Sequence, residues 1–357
     1  TRGPAADAGA TVYDQSSASV ELAPTASLEP PSPPKRHPRF LAAALLMTLA
    51  MAATVAVTRL ATVDDLPARS ARAPADRPAI QEASDAPQEA YPLFLAGREK
   101  LRRFDKAGAL DEALDLFEQA LSVDPRHAPS LAGLAEGSWL KFAETRDAMW
   151  LDRAEIQARS AVDANGHLAA AQRSLGLVLV ERGDEAAEGH LEAALHLEPS
   201  SARSHWAAAV GQKRRGDLDR AIKLYREATV LAPGEHFYFD ELGGALFAAS
   251  RLDEAEEALR RSLEIAEDGL YARSSLAAVL QMTGRSAEAT VELQRALEIR
   301  PSSALYGNLG GVLFYRGLYR QAAKAFESAL DFGGAQHYLH WANAGDAYRF
   351  INGAEAR

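Results

Sequence analysis

Small and large apolar residues recur along the second half of the chain at a fixed step of 34 residues. Within each step, a small residue is followed after four positions by a large apolar residue and after seven by another small one. These offsets put all three residues on one face of a helix, where small residues let a neighbouring helix approach and the large residue fills the gap. The three sets are Ala187, Ala221, Ala255 and Ala289; Leu191, Tyr225, Leu259 and Leu293; and Ala194, Ala228, Ser262 and Ala296.

An earlier helix precedes this one in each step, and it has a small position with the same spacing. Glycine often stands between the two helices, and proline closes most units. The small positions are Ala209, Gly243 and Ala277, the glycines are Gly108, Gly216, Gly284 and Gly317, and the prolines are Pro125, Pro199, Pro233 and Pro301. Proline stops a helix because it has no N–H and clashes with the preceding turn. A period of 34 is that of a helix–turn–helix unit, so the pattern predicts an all-α stack of helix pairs.

The chain resembles the tetratricopeptide-repeat family at several of these units. The residues that carry the resemblance are Trp341, Ala344, Gly345 and Tyr348 for a first helix; Tyr306, Leu309, Gly310, Ala322, Phe326 and Ala329 for most of a unit; and Ala113, Phe117, Ala120 and Pro125 for a second helix. The resemblance implies an α-solenoid, a right-handed superhelix of helix–turn–helix repeats over residues 91–350. Seven units are expected from about 91 to 336, followed by a half repeat at 338–350.

Unit two departs from the pattern. Ala113 and Ala154 lie 41 residues apart instead of 34, and the extra residues are predicted to form a loop around Glu144–Trp150. The half repeat lacks a second helix, residues 351–357 are expected to be a tail, and the chain begins at Thr1 rather than methionine. Both ends are therefore expected to be cut from a longer protein.

Three segments of different composition precede the repeats. Residues 1–39 are rich in Ala, Ser, Thr and Pro with few large apolar residues, so we expect them to be a disordered tail. Residues 40–58 contain no charge and would extend about 28 Å as a helix, which matches the hydrocarbon core of a bilayer. We predict a transmembrane helix there; the alternative is a buried helix of a soluble protein. Residues 59–90 contain four prolines and are predicted to be an extended spacer.

Charged residues beside the predicted span indicate its orientation. Lys35, Arg36 and Arg39 precede it, whereas Arg59 stands alone immediately after it. Lysine and arginine are enriched on the cytoplasmic side of spans, so a cytoplasmic N-terminus is favoured, although three further arginines by residue 77 weaken the contrast. The prediction is a single-pass protein of the inner (cytoplasmic) membrane with its repeats in a bacterial periplasm.

Composition and motifs argue against catalysis and against nucleic-acid, cofactor or metal binding by this chain. The formal net charge of −10 disfavours a nucleic-acid binder, which usually has a basic stripe. Cysteine is absent, so thiol nucleophiles and cysteine-ligated metals are excluded. No phosphate loop, dinucleotide fingerprint, nucleophile elbow or zinc motif is present. We predict no catalytic, cofactor-binding or metal-binding residues, no small-molecule substrate, and hence no enzyme.

The remaining candidate site is the groove of the solenoid. Stacked helix pairs curve into a superhelix, and the first helix of each pair lines its concave side. Side chains there that the packing pattern does not use are predicted to bind partner proteins or peptides, with aromatic residues and arginine as anchors. The candidates are Arg203, Trp206, Lys213, Arg214, Phe237, Asp240, Phe247, Tyr271, Ser274, Gln281, Asn308, Phe314, Tyr315 and Asn343.

Some of these residues have a second interpretation. Asn308 and Asn343 resemble the family asparagine that bonds the backbone of an extended peptide, but asparagine is also common in these repeats for ordinary reasons. Lys213 and Arg214 could receive a carboxylate, or with Arg215 they form a solvated basic turn. The alternative for the aromatic residues is that they pack between units.

The order of tail, span, spacer and repeats is similar to the C-terminal half of bacterial membrane-bound serine/threonine kinases. The segments Thr145–Trp150 and Trp341–Tyr348 are also similar to the repeats of that group. The resemblance implies a sensor or scaffold half of a signalling protein whose kinase domain lies upstream of Thr1. Bacterial membrane-bound winged-helix regulators have the same layout, and a stand-alone envelope-assembly scaffold is a further alternative. A membrane-anchored protein-interaction scaffold is common to all three hypotheses.

Overall fold

The structure, a computed structural model, describes residues 86–355 except 105 and 334–337. The predicted tail, the predicted span at 40–58 and most of the predicted spacer lie outside these residues. Among the described residues, no helix is long and apolar enough to cross a bilayer. The membrane span at 40–58 therefore stays a prediction.

The described residues form fifteen α-helices and no strand. The helices are α1 (Ala86–Arg102), α2 (Ala109–Val123), α3 (Ala128–Thr145), α4 (Ala148–Ala164), α5 (Ala169–Arg182), α6 (Ala187–Leu197), α7 (Ala202–Arg215), α8 (Leu218–Leu231), α9 (His236–Ala248), α10 (Leu252–Ile265), α11 (Leu270–Met282), α12 (Ser286–Ile299), α13 (Ser303–Tyr315), α14 (Tyr319–Gly333) and α15 (Tyr338–Glu355). Each odd-numbered helix packs on the even-numbered helix that follows it, and α15 packs on α14. The predicted all-α solenoid of seven helix pairs and a half repeat is confirmed for these residues.

Local sequence explains why the helices end where they do. Gly216 follows α7 with a φ of 87°, a left-handed conformation that glycine adopts without strain, and its N–H donates to the carbonyl of Lys213 at 3.1 Å. Asp217 then precedes α8, and its carboxylate accepts a hydrogen bond from the N–H of Arg220 at 3.0 Å. Gly216 thus ends one helix and Asp217 caps the next, which makes a tight turn between the two helices of the pair.

The small and large positions of the repeat meet inside each pair as the pattern predicts. Ala221, Ala255 and Ala289 are fully buried. Gly243 of α9 lies against Leu259 of α10, and Gly310 of α13 lies against the Phe326 ring of α14. A Cβ added to Gly310 would stand 2.6 Å from that ring, closer than any real contact. The missing side chain on one helix is therefore what admits the large side chain of the next.

The predicted loop in unit two is wrong. Helix α3 continues to Thr145 and α4 begins at Ala148, so the extra residues lengthen the two helices instead of forming a loop. Arg146 ends α3 with a φ of 59°, and the carboxylate of Asp147 accepts a hydrogen bond from the N–H of Met149 at 3.0 Å. These two residues make the whole turn because an aspartate cap starts α4 at once.

Two boundaries of the repeat region also differ from the prediction. Helix α1 begins at Ala86, inside the predicted spacer, and α15 continues to Glu355, inside the predicted tail. Pro92 lies within α1 without ending it. The repeat pattern places the packed core but leaves the first and last turns of the end helices unmarked.

Replacing Gly310 with alanine tests the small–large contact. Because its new methyl group would overlap the buried Phe326 ring, Gly310→Ala should lower the free energy of unfolding by about 1–3 kcal/mol. The adjacent Gly311 offers a matched control, since no atom lies within 4 Å of its added Cβ and alanine favours a helix by up to about 1 kcal/mol. Gly311→Ala should be neutral or stabilising in urea denaturation. Equal effects of the two changes would contradict this packing.

Candidate functional site

The odd-numbered helices lie side by side and form the inner face of the repeats. Helix α5 contacts both α3 and α7, and α11 contacts α9. Side chains from α1, α2, α3, α5, α7 and α9 line a partly open cavity of about 450 Å³, together with the α1–α2 loop and the loops that precede α5, α7 and α9. We call this the N-terminal cavity. Its lining residues are Phe94, Arg98, Leu101, Arg102, Phe104, Phe117, Pro129, Gly133, Glu136, Leu168, Ala170, Arg173, Glu198, Ser201, Arg203, Ala232, Glu235, Phe237 and Tyr238.

One side of the N-terminal cavity is closed by contacts between distant repeats. Arg102, at the end of α1, forms an ion pair with Glu235 before α9, 133 residues away. The Phe104 ring meets the Phe237 ring edge-on at 5.1 Å between centroids. Lys106 Nζ lies 2.8 Å from a carboxylate oxygen of Asp268, 162 residues away. We call Arg102, Phe104 and Lys106 the clasp, because they join repeat one to repeats five and six.

A buried charge cluster joins three inner helices beneath this cavity. Glu136 of α3 is almost fully buried and pairs with Arg173 of α5, whose Nη2 lies 3.2 Å from its carboxylate, and with Arg203 of α7. Burial alone would raise the pKa of the Glu136 carboxyl, but the two guanidiniums outweigh it and hold that pKa below its ordinary value. Glu136 is therefore ionised at neutral pH, and two arginines share one carboxylate.

A row of aromatic rings extends from this cluster to the clasp. Trp139 meets Trp206 edge-on at 5.8 Å between centroids, and Trp206 meets Phe237 at 5.3 Å. Trp206 is only 2% exposed, so it is not available to a partner as the groove prediction required. The guanidinium of Arg203 lies over its ring at 5.9 Å. Packing between neighbouring inner helices covers Trp206, while Arg203 and Phe237 still line the cavity.

Asp240 is also buried rather than free in the groove. Ser262 of α10 donates to its carboxylate at 2.5 Å, and His236 Nδ1 lies 3.4 Å from its other oxygen. Burial raises the pKa of the Asp240 carboxyl, and these two hydrogen bonds partly offset that effect. The residue lies between the two helices of its own repeat, because it is directed at the small position of α10.

Lys213 and Arg214 already face carboxylates of the protein. Lys213 Nζ lies 3.1 Å from Glu241 Oε2, and the buried Tyr225 donates its hydroxyl to the same oxygen at 3.1 Å. Arg214 Nη2 lies 3.5 Å from Glu181 Oε2. The Glu241 carboxylate raises the pKa of Lys213, and burial opposes it less strongly. These cations brace neighbouring inner helices and do not form the open carboxylate receptor that the sequence left possible.

The other candidates lie on α9, α11, α13 and α15. Tyr271 is 51% exposed, and its hydroxyl lies beside Gly244 of α9, where burial of the hydroxyl raises its pKa to about 12. Asn308 Nδ2 donates to Ser274 Oγ at 3.3 Å, which joins α13 to α11. Tyr315 is 46% exposed.

Gln281 lies on α11 with Tyr271 and Ser274. Its amide oxygen is buried and accepts no hydrogen bond from the described residues. We call Tyr271, Ser274, Gln281, Asn308 and Tyr315 the C-terminal inner face.

Three candidates are placed less favourably for binding. Phe314 packs against Tyr319 and Phe350, each at 5.3 Å between ring centroids. Phe247 is partly buried against the core, and Asn343 is half-buried on α15. The alternative that aromatic residues pack between units therefore describes Phe314 as well as Trp206.

Two proteins of known structure share the fold over most of the described residues. A monomeric mutant of human IFIT1, solved with m7Gppp-AAAA, has a TM-score of 0.59 at 19% identity, covering 73% of this chain and 60% of that one. A chain of the APC/C hetero-tetramer Cut9–Hcn1 has a TM-score of 0.52 at 20% identity, covering 74% and 49%. The chain folds as a tetratricopeptide-repeat solenoid. At these identities the likeness is one of fold.

A curated relative shares more of the sequence over a shorter stretch. The type IV pilus assembly protein PilF of Pseudomonas aeruginosa is 30% identical over 169 residues, which cover 45% of this chain and 65% of PilF. This chain thus matches less than two thirds of that relative's length. No family model matches the chain.

Sequence reasoning missed the charged centre of this tetratricopeptide-repeat solenoid. Glu136, Arg173 and Arg98 lie in the first three units, where the longer unit two breaks the 34-residue register that located the other candidates. One signal was present, because Glu136 is a lone charge in the apolar and small-residue run Ala128–Leu140. Such a charge inside a packed helix requires an opposite charge nearby. Among the described residues, no group of three or more His, Asp or Glu could hold a metal ion.

Removing the Glu136 charge tests the buried cluster. Glu136→Gln should lower the free energy of unfolding at pH 7 by about 2–4 kcal/mol, because it leaves Arg173 and Arg203 without a counter-charge and the partial exposure of Arg203 limits the loss. Urea denaturation measures this. The exposed Glu264, which pairs with Arg261 on α10, is a matched control, and Glu264→Gln should cost less than about 0.5 kcal/mol.

The Glu136→Gln variant should also differ from the unmodified chain in how its stability depends on pH. Since the folded pKa of Glu136 lies below its unfolded value of about 4.3, its stabilisation is fully present above that unfolded value and is lost as the pH falls through the folded pKa. Below about pH 4, the unmodified chain should lose stability more steeply than Glu136→Gln. Parallel pH profiles for the two proteins would show that the cluster does not stabilise the fold.

Proposed function

We propose that this chain is a membrane-anchored protein-interaction scaffold. Residues 40–58 hold it in the inner membrane with its N-terminus in the cytoplasm, and the repeats in the periplasm bind an extended segment of a partner protein. The observation that carries the proposal is the C-terminal inner face, where Tyr271 and Tyr315 are half exposed on two successive inner helices. Tyrosine is among the commonest anchors of protein interfaces.

Polar groups between the two tyrosines fit the backbone of an extended segment. Asn308 and Ser274 offer an amide and a hydroxyl on neighbouring helices. An extended segment presents backbone N–H groups along its whole length, while its side chains contact the tyrosine rings.

Charge favours a protein partner over a nucleic acid. Phosphate backbones are bound mainly by lysine and arginine. On the inner face, Lys213 and Arg214 are matched by Glu241 and Glu181, and the chain as a whole carries a net charge of −10. The absence of nucleic-acid binding, of a small-molecule substrate and of catalysis is part of this proposal, although the IFIT1 structure of similar fold contains m7Gppp-AAAA.

Two larger roles fit such a scaffold. In the first, the chain is the sensor half of a signalling protein, such as a receptor serine/threonine kinase or a winged-helix regulator. The order of its segments resembles the layout of those proteins. In the second, it is an envelope-assembly scaffold, which is favoured by its likeness to PilF, a pilus assembly protein. The gene sequence upstream of Thr1 distinguishes them: kinase or winged-helix motifs there support the first role, and a nearby start codon supports the second.

Membrane anchoring predicts a simple fractionation result. The full chain should stay with membranes after an alkaline carbonate wash, whereas deletion of residues 40–58 should release it, because that stretch alone matches the bilayer core. Deletion of residues 59–77, which removes the same number of residues from the spacer, is the control and should leave the chain in the membrane. Trypsin added to spheroplasts should digest the repeats; protected repeats would reverse the proposed orientation.

The groove proposal predicts which side chains partner binding depends on. Peptides selected from a random library on the full chain in lipid nanodiscs should lose about tenfold in affinity with Tyr271→Ala or Tyr315→Ala, since each change removes an aromatic anchor. Both variants should melt close to the unmodified chain, because the rings are half exposed. Calorimetric titration measures the affinities.

Tyr348→Ala is the matched control for these variants. Tyr348 is 45% exposed, but its hydroxyl donates to Glu327 of α14, away from the inner face. Selected peptides that bind Tyr271→Ala and Tyr315→Ala as tightly as the unmodified chain would place the partner site elsewhere.

A further inference from the structure

The N-terminal cavity is separate from the surface assigned to the partner segment. We propose that it is a second binding site, for a compact ligand that carries one acidic group on an apolar body. The proposal rests on the arginines of the cavity, on the unpaired Nε of Arg173 and on the apolar walls.

Positive charge exceeds negative charge by one in the cavity lining. Four arginines (Arg98, Arg102, Arg173 and Arg203) face three glutamates (Glu136, Glu198 and Glu235). The clasp pair of Arg102 and Glu235 cancels. At the buried cluster, Arg173 and Arg203 share the single carboxylate of Glu136. Arg173 is almost fully buried and Arg203 is three-quarters buried, so the positive charge that Glu136 leaves unmatched would favour an added carboxylate beside them.

Hydrogen-bond donors also exceed acceptors at this cluster. Arg173 is 8% exposed, and its Nε has no acceptor among the described residues. A carboxylate supplies acceptor oxygens only, which is the chemistry that this side of the cavity lacks.

The rest of the lining fits an apolar body of limited size. Phe94, Leu101, Phe104, Phe117, Leu168 and Phe237 form most of the wall. A volume of about 450 Å³ lies in the usual range for small-molecule sites. The clasp closes one side, so a folded domain does not fit. An aromatic or aliphatic acid of roughly ten heavy atoms does.

Such a carboxylate has two sources, a free acid or the C-terminus of a peptide that ends in a large apolar residue. The probes are 3-phenylpropionate and its uncharged analogue 3-phenylpropanol, together with the peptide Gly-Gly-Phe and its C-terminal amide. Each is titrated calorimetrically into the full chain in lipid nanodiscs, with empty nanodiscs as the blank.

We expect 3-phenylpropionate to bind one site per chain and 3-phenylpropanol to bind at least tenfold more weakly. Binding of the free acid together with the peptide acid shows that both sources fit. Binding of the peptide acid alone, with its amide inactive, assigns the site to chain ends. Equal affinity of acid and alcohol, or no heat from either acid at millimolar concentration, overturns the proposal.

Variants assign the binding to this cavity. Arg203→Gln should weaken 3-phenylpropionate binding at least tenfold, whereas Arg214→Gln, on the same helix but outside the cavity lining, should leave it unchanged. If Arg203→Gln lowers the melting temperature, Arg98→Gln replaces it, because Arg98 is exposed and holds no buried carboxylate. Removing its charge should weaken binding several-fold. If 3-phenylpropionate binds Arg98→Gln, and any Arg203→Gln protein that folds, as tightly as the unmodified chain, the proposal is overturned. This result is independent of whether Tyr271→Ala and Tyr315→Ala weaken peptide binding.

Discussion

The contact between a small residue on one helix and a large buried residue on the next is what the rest of this structure depends on. Gly243 against Leu259 and Gly310 against Phe326 let two helix backbones approach closely, and the large side chain fixes their separation. Because the small and large positions recur about every 34 residues, the two helices of successive pairs pack through the same kind of contact. An unbroken row of inner helices is the consequence.

That row brings together side chains that are far apart in sequence. Arg203 reaches Glu136 across 67 residues, and Arg102 reaches Glu235 across 133. Stacking alone makes contacts only between neighbouring repeats. The clasp adds contacts between repeat one and repeats five and six, and its residues Arg102 and Phe104 line the N-terminal cavity. A buried carboxylate is tolerated there because two guanidiniums from the next two inner helices surround it.

The inner face consequently has two regions with different chemistry. The N-terminal cavity is concave, rich in arginine and lined by aromatic rings. The C-terminal inner face offers two half-exposed tyrosines with amide and hydroxyl groups between them. A concave pocket suits a compact ligand, whereas an open surface with spaced anchors suits an extended segment of a partner. One repeat pattern supports both because packing uses one stripe of each inner helix and leaves the rest free to vary.

The sequence by itself determined the helices, their pairing and the residues that pack between them, because helical periodicity and small–large spacing are local properties repeated seven times. Only the tertiary structure decided which inner side chains are buried. Trp206 and Tyr271 were equal candidates in the sequence, yet Trp139 and Phe237 cover the first and nothing comparable covers the second. The Glu136 cluster and the clasp likewise depend on how repeats stack across tens of residues, which a local pattern does not encode.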